Sequence, residues 1–364
     1  MKIADIIRVL EEEAPLAYQE SYDNSGLIIG NPETELSNAL ICLDSTEAIV
    51  DEAIQTGCNL IIAHHPIIFN GLKKINGKNY VERTVIKAIQ NNIAIYAIHT
   101  NLDNIYSGVN QKIAQILGLS NSYILSPKTN TLRKLAVFCP ESHSEKVRLA
   151  LNEAGAGNIG NYDQCSFNTK GIGTFRANNQ AKPFVGELNQ IHLEQEVKIE
   201  VIFPFPLQQR MIKTLHATHP YEEIAYDLYT LENQNQSIGS GMVGELPEEI
   251  TEMEFLGLLK SKLNANCIKH TALLGKKVKK IALCGGSGSF LLKDAIREKC
   301  DFFVTADFKY HDFFDAENRI TIADVGHYES EQFTKELLRD FLMKKFRTFA
   351  PLLSSINTNP VNYF

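Results

Sequence analysis

The sequence predicts an α/β protein, an open and mostly parallel sheet flanked by helices, with a ferredoxin-like α+β domain inserted into it. Three observations carry that reading. Short apolar runs alternate with helically spaced stretches early in the chain and again late in it. Between them the pattern changes to strands stopped by proline. Two polar, breaker-rich segments, Ser126-Pro127-Lys128-Thr129-Asn130 and Glu232-Asn233-Gln234-Asn235-Gln236-Ser237, bracket the changed region as linkers. The expected boundaries are 1–129 with 236–364 for a discontinuous α/β domain, and 130–235 for the insert.

The first elements follow in order. Ala39-Leu40-Ile41-Cys42-Leu43 reads as a strand, and Asp44 with Glu47 reads as a capping box. Val50, Ala53, Ile54 and a closing Gly57 give helical spacing. Residues 59–63 form the next strand, ending in His64-His65-Pro66. A helix over 81–91 leads to a strand over 93–98, which ends in His99-Thr100-Asn101-Leu102-Asp103. Strands that alternate with helices require right-handed crossovers and a parallel sheet.

In the insert, 135–138 is a strand stopped by Pro140, and 145–154 is helical, before a Gly-rich turn and a polar segment. Residues 197–203 are a strand stopped by Pro204, followed by a helix over 207–216 and a strand over 223–231. Two such units make a split βαβ repeat. Alternation then resumes. The strand over 280–284 ends in Gly285-Gly286-Ser287-Gly288-Ser289, with a helix to 299. The strand over 301–305 ends in Ala306-Asp307, and that over 319–323 in Asp324-Val325-Gly326-His327. The last helix carries a core-facing stripe of Phe333, Leu337, Leu338, Phe341 and Leu342.

Composition excludes several classes. The 364 residues are 44% hydrophobic and 22% charged, which rules out disorder, collagen-like repeats and coiled coil. No window approaches the roughly 18 unbroken apolar residues of a membrane span. The opening MKIADIIRVLEEEAPL turns acidic at once, so a cytoplasmic protein is expected. A net charge of −7 speaks against broad capture of nucleic acid. The seven cysteines are odd in number and lack C-x-x-C spacing, which fits reduced thiols better than disulfides or a thiolate zinc site.

Ligands of open α/β sheets bind beyond the carboxyl ends of the strands. His64, His65, His99, Asp103, the run 285–289, Asp307 with His311, and His327 all stand at such ends. His327 and Glu331 are four apart at a helix start and share one face with Leu338 and Leu342, so they point toward the sheet and need partners. A metal is one such partner; a solvated first turn with Glu331 offsetting the helix dipole is the alternative. Adjacent His64 and His65 serve one site only if the strand breaks, which Pro66 favours; otherwise one packs in the core and the other on the surface. Asp103 either binds metal or caps the helix near Val109.

Three histidines and two carboxylates, with no thiolate, suit Zn, Fe, Mn, Co or Ni. Five ligands exceed the need of one tetrahedral ion, so two divalent ions are the economical arrangement. They would leave about +2 against two carboxylates, attract an anionic small molecule and lower the pKa of bound water toward roughly 7. Gly286, Ser287 and Gly288 either cradle a phosphate through backbone N–H groups or form a plain tight turn. His99 and His311 are candidate general acids or bases, or satisfied structural histidines. His219-Pro220-Tyr221-Glu222-Glu223 is metal-capable, although its place at a turn before a strand favours a structural role.

Taken together, Asp23-Asn24-Ser25-Gly26-Leu27, Ala63-His64-His65-Pro66, His99-Thr100-Asn101-Leu102-Asp103, Gly285-Gly286-Ser287-Gly288, Thr305-Ala306-Asp307 with His311, and Gly326-His327 with Glu331 resemble the GTP cyclohydrolase 1 type 2 homologs, the NIF-three-like dinuclear metal proteins. Asn357-Thr358-Asn359-Pro360 adds to the likeness, which spans almost the whole chain in order. Through Gly160-Asn161-Tyr162-Asp163 and His219-Pro220-Tyr221-Glu222-Glu223, the insert resembles the PII/CutA-like domain of the longer members. Tyr22 stands where many members have Trp, and Ala306 where Gly is frequent. The resemblance implies a dinuclear site on His64, His65, Asp103, His327 and Glu331, and a toroidal homohexamer with these sites facing an internal cavity. The expected function is a metal-dependent hydrolase of a nucleotide-like or phosphorylated small molecule, including ring opening of a guanine nucleotide. The rivals are a metal-organised scaffold or regulatory binding protein and, third, a metal-delivery adaptor.

Overall fold

The computed structural model describes residues 1–364, which divide into two compact units, 1–127 with 236–364, and 128–235. In the first unit the opening strands are β1 (Gly26–Ile29), β2 (Ala39–Cys42), β3 (Leu60–Ala63), β4 (Ala94–Ala97) and β5 (Ser120–Lys128). The second unit holds β6 (Leu132–Pro140), β7 (Phe167–Arg176), β8 (Ile191–Pro204) and β9 (Tyr226–Leu231). The chain returns through β10 (Asn235–Thr251), β11 (Lys269–His270), β12 (Lys277–Ser287), β13 (Phe302–Ala306), β14 (Thr321–Asp324) and β15 (Leu352–Leu353).

The first unit has two sheets where the sequence predicts one. Their strand orders are β1-β4-β3-β2-β15 and β11-β14-β13-β12-β10-β5. In each, three central strands are parallel, β2-β3-β4 in one and β12-β13-β14 in the other, and antiparallel strands such as β1, β10 and β11 extend them. Alternation along the sequence predicts parallel pairing within each half but carries no information on where a sheet breaks. The break is explained by burial on both sides. One core takes Leu60, Ile62 and Tyr96 from the first sheet and Leu283, Phe302 and Val304 from the second, with Ile6, Ile113, Phe255 and Leu338 from helices. Separate apolar clusters cover the far face of each sheet, around Ile49 and Val85 for one and around Leu292 and Phe303 for the other. Sheets of parallel strands buried on both faces read as continuous apolar runs.

The second unit is one antiparallel sheet of order β7-β8-β6-β9. Helices Glu141–Glu153 and Gln208–Thr218 pack on it around Val147, Leu151, Met211 and Leu215. That is the split βαβ order. β7, which reads as a polar segment, is an edge strand exposed along nearly its whole length, so no apolar face marks it. No helix is long and apolar enough to cross a membrane. All seven cysteines are free, and five of them are buried.

Candidate metal centre

β3 ends at Ala63 and β4 at Ala97, while the second sheet delivers Gly326 after β14. Their carboxyl ends converge. The strand break at Pro66 lets His64 and His65 face one point, and with Glu331 they form a group whose ligand atoms lie within 4.8 Å of one another. His327 joins from one turn away on the helix His327–Glu331, its Nε2 3.0 Å from Glu331 Oε2 and 3.3 Å from His65 Nε2. His65 Nε2 is also 3.0 Å from Glu331 Oε2. Asp103 closes the one-turn helix Thr100–Asp103, and its Oδ1 lies 3.6 Å from His64 Nε2. It does not cap the following helix, whose N-cap is Gly108.

The other ring nitrogens fix the orientation of these imidazoles. His64 Nδ1 donates to the Ile98 carbonyl at 2.8 Å, which turns Nε2 inward, toward Asp103 and Glu331. His65 Nδ1 meets Asp44 at 2.7 Å, and His327 Nδ1 meets Asp307 at 2.6 Å. Such outer partners are the usual companions of metal-bound histidine. Asp44 is therefore no helix cap; Thr46 accepts from Ile49 N–H in that role, because Asp44 is turned to the ring and to Thr358. Asp44 stands two residues past β2, so its place just beyond a strand end was the available signal.

Within this group two buried polar atoms are left without a hydrogen-bond partner, His64 Nε2 and Asp103 Oδ1. His64 Nε2 faces carboxylate oxygens at 3.6 and 3.9 Å, too far for a hydrogen bond and spaced to share a cation. The donor set thus fits a divalent ion. Burial opposes charge on His65, but its bonds to Asp44 and Glu331 push its pKa up to about 9. The Glu331 charge and the bond to Asp307 push His327 up to about 11, against burial. Burial and the neighbouring Glu331 raise Asp103 to about 7. Burial works against Glu331 too, yet His327 and bonds from the imidazoles hold its carboxyl well below the usual range. Buried Cys284 lines the same cavity, and burial and the nearby carboxylates push its thiol pKa up.

His99 lies beside the group, its ring centroid 5.4 Å from that of His64 and 5.3 Å from that of His65. Its Nδ1 donates to Asp23 at 2.8 Å. His311 is not brought here: it is exposed and stacks on Phe314 at 6.3 Å between centroids. The glycine run also differs from a phosphate cradle. β12 continues through Ser287, and the N–H groups of Gly285 and Gly286 donate to Asn110 Oδ1 at 2.9 Å and Ser330 Oγ at 3.0 Å. Gly286 has φ +60°, and a Cβ there would collide with Glu331; a Cβ on Gly288 would strike Thr305 and Cys284. The glycines admit the Glu331 carboxylate and close packing.

A cavity of about 830 Å³ opens onto the group, with Phe69, Phe290 and Tyr22 in its wall. Seven carboxylates line it (Glu20, Asp44, Asp103, Asp307, Asp324, Glu329 and Glu331) against one lysine, Lys269, itself bonded to Asp324 at 2.6 Å. Two divalent ions would leave this lining net negative, so the positive excess expected from two carboxylates alone does not hold.

Fold and site together define an α/β protein that gathers a histidine–carboxylate metal-capable group at the carboxyl ends of two sheets. The sequence profile of the Duf34/NIF3 (NGG1p interacting factor 3) family matches residues 1–360. The chain is 39% identical to the GTP cyclohydrolase 1 type 2 homolog of Bacillus subtilis (strain 168), covering 98% of this chain and 97% of that protein. It is 38% identical to the protein of the same name from Halalkalibacterium halodurans, covering 100% of both. A solved structure of a Bacillus cereus protein related to NIF3 superposes with a TM-score of 0.87 at 38% identity, covering 100% of this chain and 99% of that one. The chain belongs to the Duf34/NIF3 family.

Proposed function

We propose that the protein is a metal-dependent hydrolase with two divalent ions, held by His64, His65, Asp103, His327 and Glu331, acting on a nucleotide-like or otherwise phosphorylated small molecule. The orphaned pair His64 Nε2 and Asp103 Oδ1 is the observation that carries it. When bound, such ions supply Lewis acidity and a water ionised near neutral pH. His99, with Nδ1 donating to Asp23, offers Nε2 as a proton acceptor beside the ligand group. Phe69, Phe290 and Tyr22 offer flat apolar surface to a base. Phosphates would find no unpaired lysine or arginine in the wall and would have to be met by the ions. The relatives named GTP cyclohydrolase 1 type 2 homolog support testing guanine ring opening first. The family resemblance implies a homohexamer, the free cysteines support a cytoplasmic location, and the split βαβ order of the insert supports its kinship with PII/CutA domains.

The test is metal analysis of purified protein coupled to a hydrolysis screen of GTP, guanosine and a phosphoester panel, repeated on His64→Ala. Two equivalents of metal with turnover that vanishes in the variant is the expected result. Glu331→Ala that strips the metal without touching any turnover would sink the enzyme reading, and loss of the oligomer in that variant would favour the scaffold.

A further inference from the structure

Asn357-Thr358-Asn359-Pro360 is a motif that the ligand set leaves unused. The segment that carries it starts as β15, paired in parallel with β2 through Leu352↔Leu40 and Leu353↔Ile41. Glu52 pins the next residues: it accepts from Ser354 Oγ, and from Ser355 N–H and Oγ at 2.8 Å each. Beyond that anchor the segment reaches the cavity, where Asn359, Pro360, Val361 and Tyr363 form part of the wall.

Two successive residues then bond to carboxylates that flank the ligand group on its two sides. Thr358 Oγ1 donates to Asp44 Oδ2 at 2.6 Å, while the other oxygen of that carboxylate holds His65 Nδ1 at 2.7 Å. Asn359 Nδ2 donates to Glu329 Oε1 at 3.1 Å, and Glu329 lies in the short helix that carries His327 and Glu331. Local turns stiffen the crossing, with Asn357 Oδ1 accepting from Asn359 N–H at 2.9 Å and Asn359 Oδ1 from Val361 N–H at 3.0 Å. His65 belongs to the first sheet and Glu331 to the second, 266 positions apart in the chain. Their register is set by noncovalent contacts alone.

We infer that this C-terminal segment is a strap that sets the geometry of the metal ligands, with Thr358 a positioning residue that acts on His65 through Asp44. The inference rests on the reading of the group as a metal centre. A carboxylate tied at one oxygen can turn about its last torsion and carry the imidazole with it. A donor on the second oxygen removes that freedom and fixes the direction of Nε2. Asn359 does the same for the helix, through a carboxylate that also sits against Gly326, where a Cβ would collide with Glu329.

The experiment is zinc affinity of the full chain by chelator competition, in wild type, Thr358→Val, Thr358→Ser and Asn359→Ala. Thr358→Val keeps the shape and removes the donor, so affinity falls roughly tenfold, the low end of what losing an outer partner costs. Thr358→Ser restores the donor and stays within about threefold of wild type. Asn359→Ala, an independent variant on the other half, weakens zinc by about threefold or more. Thr358→Val with wild-type zinc affinity, or equal losses in Val and Ser, would overturn the strap. Failure of the underlying reading looks different: the wild type itself would take up no zinc.

Discussion

Two places in this chain concentrate histidine at the end of an element, and they resolve in opposite ways. In the second unit His219 is buried, with Nε2 donating to the Phe138 carbonyl at 3.0 Å and Nδ1 accepting from Tyr221 N–H at 3.1 Å. Both nitrogens are satisfied by backbone, so the ring is a staple between a strand and a turn. In the first unit His64 is buried too, but only Nδ1 is bonded, and Nε2 faces carboxylate oxygens at 3.6 and 3.9 Å with no hydrogen bond to either. The difference shows that a buried histidine becomes a candidate ligand through what its second nitrogen lacks. Proximity of carboxylates alone does not decide it.

The sharpest way to break that contrast is to remove each ring in turn. His64→Ala is expected to weaken divalent metal binding by more than about 100-fold, beyond the 10–100-fold that outer partners cost. His219→Ala should leave metal uptake unchanged and instead destabilise the fold by about 2 kcal/mol, two hydrogen bonds at roughly 1 kcal/mol each. Metal titration and chemical denaturation of both variants measure this. Metal loss in His219→Ala would dissolve the distinction.

A second test uses protons, since the two places shift in opposite directions. In the metal-free protein the raised pKa values of His65 and His327 mean that their protons stabilise the fold below pH 6.5. That contribution is lost as pH rises through about 9 and about 11. Burial lowers the pKa of His219, so its contribution is present above pH 6.5 and is lost as pH falls below it. Ring NMR titration should find His65 and His327 charged and His219 neutral at pH 7.5. Zinc must displace the protons from its ligands, so uptake at that pH is expected to release about two, read by calorimetry in buffers of different ionisation enthalpy. No release would mean that the ion sits elsewhere.

The same contrast explains what could be read from the sequence. The parallel halves were legible because strands buried on both faces are unbroken apolar runs, as in residues 39–42 and 60–63. His327 and Glu331 were legible as a pair because helical spacing fixes which residues share a face. β7 was not, since an edge strand exposed on both faces has no apolar period. Nor were Asp44 and Thr358 as companions of His65: Asp44 carries a capping pattern, and a bond between residues 314 positions apart leaves no local trace. The glycine run misleads for a related reason. Glycine marks close approach of something to backbone, but the sequence does not say whether that is a phosphate or, as here, the protein's own Glu331.

The last comparison adds one methyl group in each region, and its second member has the smallest expected effect. Gly286→Ala places a Cβ against Glu331 at a left-handed φ of +60°, so both strain and collision act. The expected cost is about 1–3 kcal/mol in the metal-free protein, together with weaker zinc binding as Glu331 shifts. Gly171→Ala, in β7 of the second unit, meets nothing within 4 Å and lies outside the left-handed region. It should be neutral or stabilise by about 0.4–1 kcal/mol, because it restricts the unfolded chain and strains nothing in the folded one. Thermal denaturation with and without zinc separates the two. If Gly286→Ala keeps wild-type zinc affinity, Glu331 does not need that open backbone, and the run must be glycine for another reason.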